Sequence, residues 1–190
     1  DDAMDAVSND ALKLIKNNQV IGLGSGRAAT ALVKSLAKLI KLKNYNIKGI
    51  PTSLQIKLVA EKAGILLIES DQVNHIDIVF DGADQIDSDK YVIKGGGGAL
   101  LRENILFSLA KKVVVMADKT KFVKKFTRTV PIEIHPLARN SVINSIKKLG
   151  GKSKIRSLDR GYPFFTENGN IILDCDFGII SNPKTLTQKI

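Results

Sequence analysis

The chain contains one cysteine, Cys175, two histidines, His75 and His135, and no tryptophan. A lone thiol cannot form a disulfide framework or a cysteine-only zinc site, and a reducing cytoplasm is the default compartment. Neither histidine stands near a Ser or Asp in a triad-like arrangement, and no Cys or His partner suggests a metal, so no metal site is expected. Aromatic residues are only 5%, a poor supply for a surface on which nucleic-acid bases stack. No apolar run reaches the ~18 residues that a membrane span needs, and no basic-then-apolar leader opens the chain. Acidic residues are the scarcer charge, 19 against 29 Lys and Arg, which gives a formal charge of +10.

What is present is ordinary for a globular protein: 44% hydrophobic and 25% charged residues. That apolar content excludes a disordered chain. The 190 residues suit one domain, or a medium domain with a small one. The first residue is Asp1 rather than Met, so a trimmed natural chain is expected. The densest basic cluster runs through Lys111, Lys112, Lys119, Lys121, Lys124, Lys125 and Arg128. It reads either as a solvated face or as an attraction for a small phosphorylated substrate.

Helical spacing over Asp5–Lys16 precedes a short apolar strand at Gln19–Leu23, and Ala28–Lys43 carries an apolar stripe of Ala31, Leu32, Leu36, Leu39 and Ile40. Strands are predicted at 47–51, 65–68, 76–80, 91–93 and 112–117, with helices at 53–63 and 99–110. Strands alternating with helices of this length indicate a Rossmann-like, mostly parallel sheet covered by helices on both faces. After Lys124–Val130 the pattern changes: strand 130–134, helix 138–149 ended by Gly150-Gly151, strands at 153–158, 162–165 and 171–175, and a last helix opened by Pro183. This order resembles a small α+β ferredoxin-like unit lacking its closing strand. The expected domains are 1–127 and 128–190.

Four motifs carry chemistry. Gly22-Leu23-Gly24-Ser25-Gly26-Arg27 lies between a strand and a helix, where backbone N–H groups and the helix dipole favour an anion. The third glycine of the dinucleotide fingerprint would fall at Arg27, and no Walker-type Gly-Lys-Ser/Thr is present, so NAD and ATP are disfavoured. Asp81-Gly82-Ala83-Asp84 follows a strand and can bind sugar hydroxyls, hold a metal or simply make a turn. Lys94-Gly95-Gly96-Gly97-Gly98 leads into a helix carrying Arg102 and Glu103. Four successive glycines carry an entropic cost that a cradle of peptide N–H groups for oxygen atoms would justify. Glu103 falls early in that helix, where the dipole favours its charged form and burial opposes it, as suits a general base. Ala117-Asp118-Lys119-Thr120-Lys121 offers a lysine at another strand end. Cys175 reads as packing.

The set resembles ribose-5-phosphate isomerase of the A type, through Gly22–Gly26, Asp81–Asp84, the specific run Lys94–Glu103 and Ala117–Lys121, then Val130–Ile134, Leu149–Gly151 and Glu167–Asn170. The resemblance implies cofactor-independent conversion of D-ribose 5-phosphate to D-ribulose 5-phosphate through an enediolate, in the non-oxidative pentose phosphate pathway. It implies Glu103 as the base, Asp81 and Asp84 as acids that bind hydroxyls and assist ring opening, and Lys94 beside the developing oxyanion. Ser25, Gly26, Arg27, Ala28, Gly82, Ala83, Gly95, Gly96, Gly97 and Lys121 would complete the substrate site. It also implies a homodimer or homotetramer with a small sugar phosphate as partner; composition adds the expectation of a cytoplasmic protein without nucleic-acid or membrane partners.

Two departures concern the phosphate. The family's first loop usually reads Gly-Thr-Gly-Ser-Thr, and here it is Gly24-Ser25-Gly26-Arg27-Ala28. A lysine of the family's first helix falls near Met4 here, so Arg27 is expected to supply the missing charge. The family also continues past position 190. A non-catalytic sugar-phosphate-sensing module is the alternative reading; it would keep the phosphate loop without needing an acid, a lysine and a base together.

Overall fold

The computed structural model describes residues 2–190, with side chains from Asp5 onward, so Met4 lies outside the described side chains. In chain order the elements are α1 (Asp2–Leu12), β1 (Val20–Leu23), α2 (Gly26–Lys43), β2 (Lys48–Pro51), α3 (Leu54–Lys62), β3 (Leu66–Leu67), β4 (Ile78–Gly82), β5 (Gln85–Ile86), β6 (Val92–Ile93), α4 (Leu101–Leu109), β7 (Val113–Met116), β8 (Val130–Ile134), α5 (Arg139–Lys148), β9 (Lys152–Ile155), β10 (Ile171–Asp176) and α6 (Pro183–Lys189). They form two compact units, Asp1–Gly82 with Leu101–Lys119, and Ala83–Leu100 with Thr120–Ile190. No described helix is long and apolar enough to cross a membrane.

The first unit holds a five-stranded sheet in the order β3-β2-β1-β4-β7, with every pairing parallel. Alternate residues of β1 and β4 face opposite sides. Ile21, Leu23, Ile78 and Phe80 pack with Ala11, Leu32, Val33, Leu36 and Ile56, which come from α1, α2 and α3. Val79 points the other way and packs with Ile50, Ile76 and Leu106 of α4. Helices therefore cover both faces, as the alternation of elements predicts. Each fully buried Leu, Ile or Phe here stabilises the fold by about 1.5–3 kcal/mol relative to exposure.

Three local expectations change in this unit. The buried stripe of α2 is Ala29, Leu32, Val33, Leu36 and Ala37, while Ala31, Leu39 and Ile40 are half-buried. The sheet, rather than hydrophobicity alone, sets the helix's rotation. Helix α2 also begins at Gly26 rather than Ala28, and β4 runs on through Asp81 and Gly82 instead of stopping at Phe80. The extension of β4 follows from its pairing with β7, where Asp81 is in register with Val115 and Gly82 with Met116.

The second unit contains the β5–β6 hairpin and a three-stranded antiparallel sheet in the order β8-β10-β9. Helix α5 covers that sheet through Ile146, against Ile134, Ile171, Leu173 and Cys175. The strand expected at 162–165 is absent. The segment makes only isolated bridges, Ser157 with Pro163 and Phe165 with Ile171. Pro163 has no N–H to give a ladder, and Arg160 and Gly161 take positive φ values of 65° and 82°, turning the chain just before it. The hairpin strand β5 has no counterpart in the predicted elements. It is too short for a periodic signal and is held by its side chain: Gln85 Oε1 accepts from the N–H groups of Thr127 and Arg128 at 2.9 and 3.1 Å.

Candidate active site

In the first unit the strand order changes direction at β1: β2 and β3 lie on one side and β4 and β7 on the other. Parallel sheets bind ligands outside the carboxyl ends of the strands at such a switch point. The Gly24–Arg27 loop follows β1, and Asp81 and Gly82 close β4, so both motifs reach that crevice. They touch. The Gly24 N–H donates to the Phe80 carbonyl at 2.8 Å, and a Cβ on Gly24 would collide with the Asp81 carboxylate. Gly24 is thus required for the approach of the two strands' ends.

Asp81 is 2% exposed and Glu103 3% exposed, both unusual for carboxylates. Period-two alternation puts Asp81 on the same face as Val79. Helical spacing puts Glu103 one turn before Leu106, on the same face of α4. Because Leu106 packs with Val79, the two acids lie on the same face of this unit, toward the carboxyl ends of the strands. Asp81 Oδ1 accepts from the Gly82 N–H at 2.7 Å.

Ser25 stands at the N-cap of α2, yet its hydroxyl makes no cap bond. It donates to Ser53 Oγ at 2.6 Å and lies 2.9 Å from Thr52 Oγ1. Thr52 in turn donates to the Leu23 carbonyl at 2.9 Å, and Ser53 caps α3 by accepting from the Ile56 N–H at 3.4 Å. Gln55 Oε1 accepts from the Gly26 N–H at 3.3 Å, and its Nε2 donates to Thr30 at 3.0 Å. No acid occupies the first turn of α2, so the positive end of the helix is not neutralised locally. Arg27 is exposed on this turn, and among the described residues no ion pair engages its guanidinium; Ala28 is half-buried beside it. Sequence reasoning missed Thr52, Ser53 and Gln55. Their signal was a pair of hydroxyl residues between β2 and α3, the counterpart of Ser25 between β1 and α2.

The second unit carries Ala83, Asp84, the glycine run and Lys121. The Asp84 N–H donates to the Ile93 carbonyl at 2.8 Å, and Asp84 Oδ2 accepts from the Gly96 N–H at 2.8 Å. Arg128 lies 3.8 Å from Asp84 Oδ1. Three of the four glycines are required by geometry. A Cβ on Gly96 would meet the Asp84 carboxylate at 2.8 Å, and one on Gly98 would meet the Phe164 ring at 2.5 Å. Gly95 has a φ of 98° and closes a turn by accepting from the Gly98 N–H at 3.0 Å. Nothing lies within 4 Å of a Cβ on Gly97, which is exposed. On the other side of the loop, Arg156 Nη1 donates to the carbonyls of Gly95 and Gly96 at 2.9 and 3.2 Å. Lys94 is half-buried at the start of the loop, and Lys121 is half-buried in a short 3₁₀ turn, Lys119–Lys121.

The Asp77 carboxylate accepts from the Val20 N–H at 2.9 Å and from Lys111 Nζ at 3.0 Å, at the amino end of the sheet. Burial alone would raise its pKa, but the bonds from Val20 and Lys111 outweigh it and hold the carboxyl below its ordinary value. His75 is 3.7 Å from Asp77, and His135 Nδ1 accepts from the Leu137 N–H at 3.3 Å. Cys175 is fully buried, and burial first, then the charge of Asp174, pushes its thiol up to about 11.

The sequence profile of the family described as Ribose 5-phosphate isomerase A (phosphoriboisomerase A) matches residues 48–190. The chain is 39% identical over 188 residues to Ribose-5-phosphate isomerase A of Trichodesmium erythraeum, covering 97% of this chain and 79% of the relative. It is 38% identical over 181 residues to the enzyme of the same name from Methanosarcina acetivorans, covering 95% and 77%. Its fold superimposes on ribose 5-phosphate isomerase A from Methanocaldococcus jannaschii with a TM-score of 0.92 at 36% identity, covering 99% of this chain and 84% of that one. A D-ribose-5-phosphate isomerase in complex with phospho-erythronic acid matches with a TM-score of 0.91 at 34% identity, covering 97% and 82%. With the profile matching residues 48–190, and relatives and fold matching nearly the whole chain, the chain belongs to the ribose 5-phosphate isomerase A family.

Proposed function

We propose a division of labour for the family's reaction, the reversible conversion of D-ribose 5-phosphate to D-ribulose 5-phosphate. Glu103 takes the proton from C2 of the open-chain aldose. The electrons of the C2–H bond form the C1–C2 double bond, and the carbonyl oxygen on C1 becomes negative. Glu103 then returns the proton to C1, and the oxygen on C2 becomes the new carbonyl. A helix near its start is a rigid mount for such a base. Asp81 and Asp84 bind hydroxyls, assist ring opening and move the proton between the two oxygens. Lys94 and the N–H groups of the glycine loop supply positive potential to the enediolate oxygen, the term on which this chemistry depends most. The scheme needs no cofactor.

The observation that carries this reading is the burial of Asp81 and Glu103 on one face at the carboxyl ends of the strands. A sensing module needs the phosphate loop but no acid and base together, whereas proton transfer between two carbons needs both. Phospho-erythronic acid, bound by one relative, fits the same logic: its planar carboxylate presents two oxygens as an enediolate does. We extend its binding to this chain.

Ser25, Gly26, Arg27 and Ala28 receive the phosphate at the start of α2, with Lys121 and the backbone of Gly82 and Ala83 completing the substrate contacts. Arg27→Ala raises KM for ribose 5-phosphate much more than for ribose; equal effects would remove Arg27 from the phosphate site. The chain acts in the cytoplasm as a homodimer or homotetramer, which sedimentation of the purified protein checks. The deciding experiment follows ribulose 5-phosphate formation after treatment with a chelator, wild type against Glu103→Gln. Loss of a positioned base lowers kcat by about 10²–10⁴-fold. An inactive wild type, or a Gln variant of equal rate, overturns the assignment.

A further inference from the structure

The glycine loop is gripped from behind by an ion pair that no sequence motif announces. Arg156 binds Asp174 with both arms of its fork, Nε to Oδ2 at 2.9 Å and Nη2 to Oδ1 at 2.6 Å. Asp174 lies in the central strand β10 of the antiparallel sheet, so the carboxylate is anchored in a rigid element. The two side chains are 17% and 25% exposed, which limits solvent screening and fixes the guanidinium plane. The remaining nitrogen, Nη1, then reaches two successive carbonyls of the loop, Gly95 and Gly96.

A trans peptide places its C=O and N–H on opposite sides. Holding the Gly95 carbonyl therefore aims the Gly96 N–H away from Arg156, and that N–H donates to Asp84 Oδ2. Holding the Gly96 carbonyl likewise aims the Gly97 N–H away from the clamp, at the one glycine of Gly95–Gly98 that is exposed and has open space where a Cβ would stand. A cation on the carbonyl oxygen also polarises the peptide and strengthens its N–H as a donor. The chain of contacts runs from Asp174 through Arg156 and the 95–96 peptide to the Asp84 carboxylate.

We propose that Arg156, locked by Asp174, is a positioning residue for isomerisation: it sets the peptide planes of the glycine loop so that Gly97 N–H meets the developing oxyanion and Asp84 is held by Gly96 N–H. This rests on the isomerase reading above. Arg156 touches no reacting atom. Its loss is felt where the N–H groups matter most, in the transition state rather than in ground-state binding.

The test uses the full chain with Arg156→Gln, Arg156→Lys and Asp174→Asn, assayed where thermal unfolding shows each to be folded. Arg156→Gln lowers kcat by about tenfold to a hundredfold, the range found for groups that orient a reactive shell, with KM changed less than about threefold. Binding of 4-phosphoerythronate weakens by the same factor as kcat/KM, as an enediolate mimic should. Arg156→Lys recovers only part of the loss, because an ammonium cannot hold the carboxylate fork and two carbonyls at once. Amide hydrogen exchange at Gly96 and Gly98 accelerates in Arg156→Gln and in Asp174→Asn. An active wild type whose folded variants keep kcat, inhibitor affinity and exchange rates overturns the clamp alone. A loss carried wholly by KM also overturns it, and an inactive wild type overturns the isomerase reading and the clamp together.

Discussion

Gly24→Ala probes the contact between the loop after β1 and the end of β4. The added methyl would lie 2.6 Å from the Phe80 carbonyl oxygen and inside contact distance of the Asp81 carboxylate. Retreat of the loop is opposed by the 2.8 Å hydrogen bond from Gly24 N–H to that same carbonyl. Forcing a methyl into such a space costs about 1–3 kcal/mol, and stretching the hydrogen bond adds roughly 1 kcal/mol. At about 2–4 °C per kcal/mol for a chain of this size, Tm falls by roughly 5–15 °C. The displacement needed is on the order of 1 Å at Asp81, enough to lower kcat about a hundredfold. Gly49→Ala is the control. Its methyl would lie 2.9 Å from Leu23 and 3.1 Å from Leu67, apolar side chains of the other core cluster, so its cost is one of packing alone. The assay is ribulose 5-phosphate formation at a temperature where both variants are folded, with thermal unfolding alongside. If Gly24→Ala keeps the wild-type kcat, or Gly49→Ala loses as much, Asp81 does not act through this contact.

Three further outcomes follow from the same geometry. Asp77→Asn destabilises the protein at neutral pH. Because the folded Asp77 pKa lies below its ordinary 3.8, the wild-type advantage is full above that pH and closes as pH falls through the folded value; urea unfolding at pH 7 and pH 3 measures it, and a gap that widens in acid contradicts it. Ser53→Ala removes the N-cap of α3 at a cost of about 1 kcal/mol and frees the Ser25 hydroxyl, so a Tm loss is accompanied by a raised KM for ribose 5-phosphate. Cys175, buried and with its thiol pushed up to about 11, reacts with a thiol reagent only after unfolding; labelling of the native protein faster than its unfolding would refute this.

The alternation of strands and helices in the first unit was legible in the chain because its longer elements carry apolar runs or stripes where they pack, although the rotation of α2 was not. The glycine loops and the acids were legible because they punctuate that alternation at strand ends, where backbone must turn and ligands bind. Glu103 and Asp81 could be named from sequence; their shared face could not. That depends on which side of the sheet α4 packs, settled by Leu106 against Val79. Ser25 was visible as a loop hydroxyl, but its partners Thr52 and Ser53 come from another strand end, brought beside it by the parallel pairing of β1 with β2. Arg156 meets Gly95 across 61 residues of sequence. No local period or propensity encodes such a meeting. It follows from antiparallel pairing of β9 and β10, which sets Arg156 beside the strand carrying Asp174, and from the loop that folds against them. Local chemistry thus determined what each segment could do, and long-range packing decided which segments do it together.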